Sequence, residues 1–183
     1  MRLRHDSIFS VNVFAAHIDE WKQKKKEILS LVDFNNKDAA SDEELNYTDH
    51  NLYGIKRDKK VVCPYKESFL DMLSPYLNEF RENVYQYNRI VGPWCQRYIA
   101  GDYHSVHDHG SAGYSAVFYA KINPDVHPST LFTSPFPSHT GTVPSIAPQV
   151  TEGDLIIFPA FLLHTAPPHK SDEDRIVFSF NLP

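Results

Sequence analysis

Past Gly92-Pro93 the chain loses helical spacing and becomes a succession of short β-branched and aromatic runs, each closed by glycine or proline. The runs fall at residues 94–100, 104–109, 114–122, 129–133, 146–150, 155–158, 162–166 and 175–182, with turns at Gly101-Asp102, Gly110, Gly113, Asn123-Pro124 and Glu152-Gly153-Asp154. Glycine supplies positive φ and proline removes a ladder donor, so both punctuate strands rather than extend them. About eight short strands in immediate succession can bury their apolar faces only as two packed sheets or a closed barrel, the jelly-roll solution. The predicted class is therefore mainly β with flanking helices.

The N-terminal half has a different texture. Residues 8–15 read as a strand, and Ile18, Trp21, Lys25, Ile28, Leu29 and Val32 carry helix spacing, with Asp19 and Glu20 favouring its N-terminal end. A second amphipathic helix is predicted over 65–87, with Phe69, Leu70, Leu73, Leu77, Phe80 and Val84 as its buried stripe and Pro75 kinking or dividing it. Residues 35–60 are polar and charged, a long surface insertion with a short strand at 47–53. The two helices are expected to cover one face of the sheet. The whole is expected to be one domain over 1–183, with 1–93 as support and 94–183 as the core.

Composition narrows the function. A net charge of −5 with no basic stripe gives no case for nucleic acid, and the run Lys22-Gln-Lys-Lys-Lys26 lies inside the helical pattern as a solvated face. Two cysteines, Cys63 and Cys95, cannot build a disulfide framework and have no Cys-x-x-Cys spacing. No apolar signal segment and no apolar run of about 18 residues occurs. The expectation is a soluble, cytoplasmic protein without a membrane partner.

Three of the ten histidines fall within six residues, in His104-Ser-Val-His107-Asp-His109. On a strand His107 and His109 share a face while Asp108 points to the other. A partner is expected at His164, 55 residues beyond His109, in Gly-Asp-Leu-Ile-Ile-Phe-Pro-Ala-Phe-Leu-Leu-His164. That separation holds about five short strands and suits a double-stranded β-helix, in which the second and seventh strands are neighbours. Three imidazoles would leave coordination positions open for O2 and a co-substrate, although imidazole alone does not choose between iron, zinc, copper and nickel. Arg175, eleven residues beyond His164, opens Arg-Ile-Val-Phe-Ser-Phe-Asn. If it points inward it requires an anion, for which its fork suits a carboxylate. The competing expectation is an ion pair with Asp172, Glu173 or Asp174.

Taken in order, His-x-His, Ser-Ala-Val-Phe-Tyr-Ala, Gly-Asp-Leu-Ile-Ile-Phe-Pro-Ala…His and Arg-Ile-Val-Phe-Ser-Phe-Asn resemble the iron(II)/2-oxoglutarate-dependent oxygenase superfamily, in particular its small bacterial and phage, prolyl-hydroxylase-like group. The resemblance covers residues 94–183. It implies a double-stranded β-helix (jelly roll, cupin-like), a hydroxylase activity, and Fe(II), 2-oxoglutarate and O2 as cofactors, acting on a small-molecule or peptide substrate. It implies His107 and His164 as metal ligands, Arg175 as the clamp on the far carboxylate of 2-oxoglutarate, and Tyr119 and Tyr98 as tyrosines beside that co-substrate. The sequence departs from the superfamily in two places. His109 stands where Asp or Glu is usual, so three histidines are expected, with Asp108 as the alternative if a bulge turns it inward. Val177 stands where many relatives have serine, a role that Ser179 or Asn181 could take. The rival readings are a cupin-type three-histidine dioxygenase or isomerase that does not use 2-oxoglutarate, and a non-catalytic zinc module. Tyr47, Tyr53, Tyr103 and His104 are candidates for the mouth of the site, with ordinary surface placement as the alternative.

Overall fold

A computed structural model describes residues 10–39, 44–45, 47–54 and 62–183. Its strands are β1 (Phe14–His17), β2 (Tyr47–Thr48), β3 (Val91–Tyr98), β4 (His104–His107), β5 (Tyr114–Lys121), β6 (Leu131–Thr133), β7 (Ser145–Ile146), β8 (Asp154–Pro159), β9 (His164–Ala166) and β10 (Arg175–Leu182). The helices are α1 (Trp21–Ser30) and α2 (Lys66–Asn83), with a π-helical turn at His50–Gly54. The larger sheet runs β1-β8-β5-β10-β3-β2 and the smaller β4-β9-β6-β7, and the strand pairings within both are antiparallel. The fold is thus mainly β, with the two layers of a jelly roll.

Alternation along the strands divides the interior in two. On β10, Ile176, Phe178, Phe180 and Leu182 join Phe118 and Ala120 of β5 and Leu155 and Ile157 of β8 in one apolar cluster, completed by Trp21, Ile28, Phe69, Leu73, Leu77 and Phe80 from the helices. Val177, Val117, Tyr119, Ile156 and Phe158 turn to the opposite face and form a second cluster with Tyr98 and Phe132. Period-two alternation therefore gives each strand one face for the helices and one for the space between the sheets. Trp21 fixes α1, packing edge-on to Phe118 at 4.9 Å and donating its Nε1–H to Ala120 O at 3.0 Å. Phe69 does the same for α2 against Phe118 and Phe178. Losing either ring to alanine costs about 3–5 kcal/mol by the usual measure of large core aromatics.

Three sequence expectations are revised. The first strand begins at Phe14 rather than at residue 8; Ile8 and Phe9 lie outside the described residues. Helix α2 runs through Pro75 without dividing and stops at Asn83. Pro75 and Asp71, whose carbonyl the proline leaves without its helical donor, are both exposed, so water can satisfy that carbonyl. The described part of 35–60 is not merely a surface connection, since Leu45, Tyr47, Asp49 and Leu52 are buried. It lies along β3 and β4, with Asp49 N–H donating to Cys95 O at 3.2 Å and Tyr103 N–H to Glu44 O at 2.8 Å. Residues 40–43, 46 and 55–60 of this segment lie outside the described residues.

Asp49 holds this edge in place. Its fully buried carboxylate accepts Cys95 N–H at 2.6 Å and the hydroxyls of Tyr65 and Tyr47 at 2.8 and 3.2 Å. Burial raises its pKa to about 6, against the opposing pull of those donors. The folded state therefore binds this proton more tightly than the unfolded chain. The resulting stability is complete below the ordinary carboxylate value and is lost as pH rises through about 6. Between about pH 4 and pH 7, Asp49→Asn should gain on the wild type by on the order of 1–3 kcal/mol in denaturant unfolding. Parallel stability curves for the two proteins would refute this.

Candidate active site

The smaller sheet brings the predicted histidines together. β4 and β9 pair with His107 directly opposite His164 and His104 opposite Ala166, so β4 carries one residue more than β9 between these two pairs. That is a bulge, and it turns the His104 ring onto the His107 ring at 4.1 Å. His109 lies beyond the end of β4, not on a continuous strand as alternation implied; its N–H donates to Ala160 O at 2.8 Å, which pins it beside the other two. Ring centroids are 4.2 Å apart for His107 and His164 and 5.1 Å for His109 with either. One nitrogen from each lies within 4.8 Å of the others.

The backbone sets the chemistry of these rings. His107 Nδ1–H donates to Ser105 O at 2.7 Å and His164 Nδ1–H to Leu162 O at 2.8 Å, which leaves Nε2 as the lone-pair nitrogen of each. Burial, followed by the neighbouring His164 and His107, lowers His109 to about 3. Burial likewise lowers His164 to about 4, opposed by its bond to Leu162 O. Imidazole nitrogens with a free lone pair are metal donors, so these three converging residues fit an ion. Asp108 is exposed and accepts Gly110 N–H at 2.9 Å, a local turn that engages it outside the triad.

Arg175 is the other half of the site. It is 2% exposed, its guanidinium lies 4.2 Å above the Tyr98 ring, and Nη1 donates to Pro128 O at 2.7 Å. Nε and Nη2 are buried with no partner. Asp172, Glu173 and Asp174 do not pair with it, so the ion-pair expectation is not met. A buried cation with two orphaned donors is a strongly unfavourable arrangement unless an anion completes it. The Tyr119 hydroxyl donates to Thr130 Oγ1 at 2.8 Å and accepts Thr130 N–H at 3.2 Å. Arg175, Tyr98, Tyr119 and the three histidines all line one cavity.

Other residues reach this cavity with less warning from the sequence. Ser179 and Asn181 face it, as alternation from Arg175 implied, but Ser179 Oγ–H donates to Gln96 Oε1 at 3.0 Å and Asn181 Oδ1 accepts from Ser115 at 2.8 Å. Gln96 donates to His104 Nδ1 at 3.2 Å, which brings His104 into the wall of the site. A polar residue alternating with Trp94 and Tyr98 on one face of the strand was the available signal for Gln96. Tyr47 is buried, Tyr53 packs edge-on against Tyr65, and Tyr103 is exposed, so none of the three lines this cavity.

Residues 92–181 match a family model described as "Putative 2OG-Fe(II) oxygenase". No curated protein matches the chain by sequence. Among solved structures, a prolyl-4-hydroxylase from Pseudomonas putida aligns at TM-score 0.61 and 12% identity, over 94% of this chain and 93% of that one. An oxidoreductase of the 2OG-Fe(II) oxygenase family from Burkholderia pseudomallei aligns at TM-score 0.63 and 12% identity, over 92% and 82%. A prolyl hydroxylase from Trichoplax adhaerens, in complex with a hypoxia inducible factor oxygen degradation domain peptide fragment, aligns at 0.60 and 13%, over 92% and 82%. At such identities the likeness is one of fold. Among the described residues no helix is long and apolar enough to cross a membrane.

If the three imidazoles form the metal site, alanine at His107, His109 or His164 should each abolish stoichiometric iron(II) binding, measured anaerobically by calorimetry. Asp108→Ala should bind as the wild type does. The reverse result for His109 and Asp108 would make Asp108 the ligand.

Proposed function

We propose that this chain, whose residues 92–181 match the 2OG-Fe(II) oxygenase family model, is a hydroxylase of that family with His107, His109 and His164 as its iron ligands and Arg175 as its co-substrate clamp. One observation carries the reading: a buried guanidinium with two unpartnered donors shares a cavity with three converging imidazoles. A dicarboxylate fits that pairing, one end at the metal and the other at the guanidinium.

Iron(II) held by His107, His109 and His164 would supply O2 activation, coupled to the oxidative decarboxylation of 2-oxoglutarate to succinate and CO2. This chain's residues supply position. His107 and His164 would present Nε2 to the metal because the Nδ1–H of each ring donates to a backbone carbonyl. Arg175 offers Nε–H and Nη2–H to the far carboxylate, with the Tyr98 ring beneath the guanidinium. Tyr119 can turn its hydroxyl proton from Thr130 Oγ1 to the same carboxylate while Thr130 N–H still donates to its oxygen. These donors are in place before the ligand arrives, so binding orients the co-substrate at little reorganisation cost. Val177, Val117 and Ala116 give the same cavity part of its apolar lining. With no carboxylate ligand, the site carries one more positive charge than a His-x-Asp centre would. The Trichoplax neighbour's bound peptide supports a peptide substrate, alongside small molecules.

Protein supplied with iron(II) and ascorbate should convert 2-oxoglutarate to succinate, slowly in the absence of a primary substrate. Arg175→Ala should raise the KM for 2-oxoglutarate by about 30-fold or more, as expected for loss of a buried charge pair, and Tyr119→Phe by about tenfold. Calorimetry showing no binding of 2-oxoglutarate to the metal-loaded wild type would end this reading. Turnover of a substrate unaffected by Arg175→Ala would favour a cupin-type enzyme that uses the three histidines without 2-oxoglutarate.

A further inference from the structure

The loop between β5 and β6 touches the clamp at two points. It provides Pro128 O, which accepts from Arg175 Nη1, and Thr130, which engages the Tyr119 hydroxyl as both donor and acceptor. His127 stands in this loop, just before those residues, and is 3% exposed. Its Nδ1 accepts Asn123 N–H at 3.0 Å, and its Nε2–H donates to Glu173 O at 2.9 Å, two residues before Arg175. A single imidazole thus ties the loop that contacts the guanidinium to the segment that carries it. His169, also buried, packs edge-on against His127 at 4.5 Å. Its Nε2–H donates to the backbone oxygen of Tyr98, the residue whose ring lies beneath Arg175.

We propose that His127, with His169 packed against it, is a positioning residue for co-substrate binding: as a neutral brace it holds Pro128, Thr130 and Tyr98 where Arg175 and Tyr119 present their donors to a carboxylate. This rests on the reading of Arg175 as the 2-oxoglutarate clamp. The residue touches neither metal nor co-substrate and acts through the segments it joins.

The hydrogen bonds themselves require the neutral form. Nδ1 needs a lone pair for Asn123 N–H; a proton there would set two donors against each other and part the loop from the approach to β10. The titratable and charged groups facing His127 are Glu173, His169 and Arg175. Burial lowers its pKa below the ordinary histidine value, the bond to Glu173 O opposes that shift, and His169 and Arg175 reinforce it. A histidine lowered in the folded state stays neutral at neutral pH and charges only as pH falls below about 6.5. The brace is therefore intact at neutral pH and opens on the acid side.

The test is the dissociation constant of 2-oxoglutarate, measured anaerobically by calorimetry on iron(II)-loaded protein from about pH 5 to pH 8. His127→Ala should weaken 2-oxoglutarate binding about tenfold while iron(II) stoichiometry stays at the wild-type value. The His127→Gln amide reaches the Nε2 position and can donate to Glu173 O without titrating. That variant should stay within about threefold of the wild type at neutral pH and lack the wild type's acid-side loss of affinity. Wild-type affinity in a folded His127→Ala protein, or an acid-side loss retained in His127→Gln, would overturn the brace alone. A wild type that binds no 2-oxoglutarate would overturn the clamp reading and the brace with it.

Discussion

The pairing of β10 with β5 on one side and β3 on the other is the constraint on which the rest of the molecule depends. As a central strand, β10 is fixed in register along both edges, so its side-chain alternation is transmitted to its neighbours. Ile176, Phe178 and Phe180 are committed to the helix layer, and Arg175, Val177, Ser179 and Asn181 to the cavity. The aromatic cluster around Phe69, Phe118 and Phe178 penalises any one-residue slip of β10, because a slip would turn Phe178 and Phe180 into the polar cavity and bring Arg175 into the apolar layer. The unfavourable burial of a guanidinium is thus imposed by the packing of the opposite face.

The site sits at the junction of two sheets with unlike tasks. The larger sheet supplies Arg175, Tyr98 and Tyr119, and the smaller supplies His107 and His164 by direct cross-strand pairing. Neither sheet holds both the three imidazoles and the buried guanidinium, so the two groups meet only where the layers face each other. The bonds that orient these side chains are mostly to backbone carbonyls: Ser105 and Leu162 fix the tautomers of His107 and His164, Pro128 orients the guanidinium, and Glu173 holds His127. Carbonyls on strands and tight loops are rigid acceptors, so the side chains they fix are preorganised without further charged groups being buried.

Much of this was legible from residue order. The 175–182 strand and the His107–His109–His164 grouping followed from alternation, from turn residues and from the 55-residue separation of the distal histidine, while an inward Arg175 was one of two readings its position allowed. The beginning of β1, the continuity of α2 through Pro75 and the burial of Asp49 did not. Each depends on whether a backbone group meets water or another segment, which local sequence leaves open. Gln96, His127 and His169 were missed for a related reason: their partners lie 4 to 71 residues away and follow from no repeat or periodicity.

By itself, the sequence determined which residue types could meet, because apolar alternation and turn chemistry are properties of neighbouring residues. That was enough for a jelly-roll core, a three-imidazole group and a cation that required an anion. Only the tertiary structure decided how they meet. The bulge before His107 and the two unpartnered nitrogens of Arg175 arise from long-range register and burial, which are settled when the two sheets close on each other.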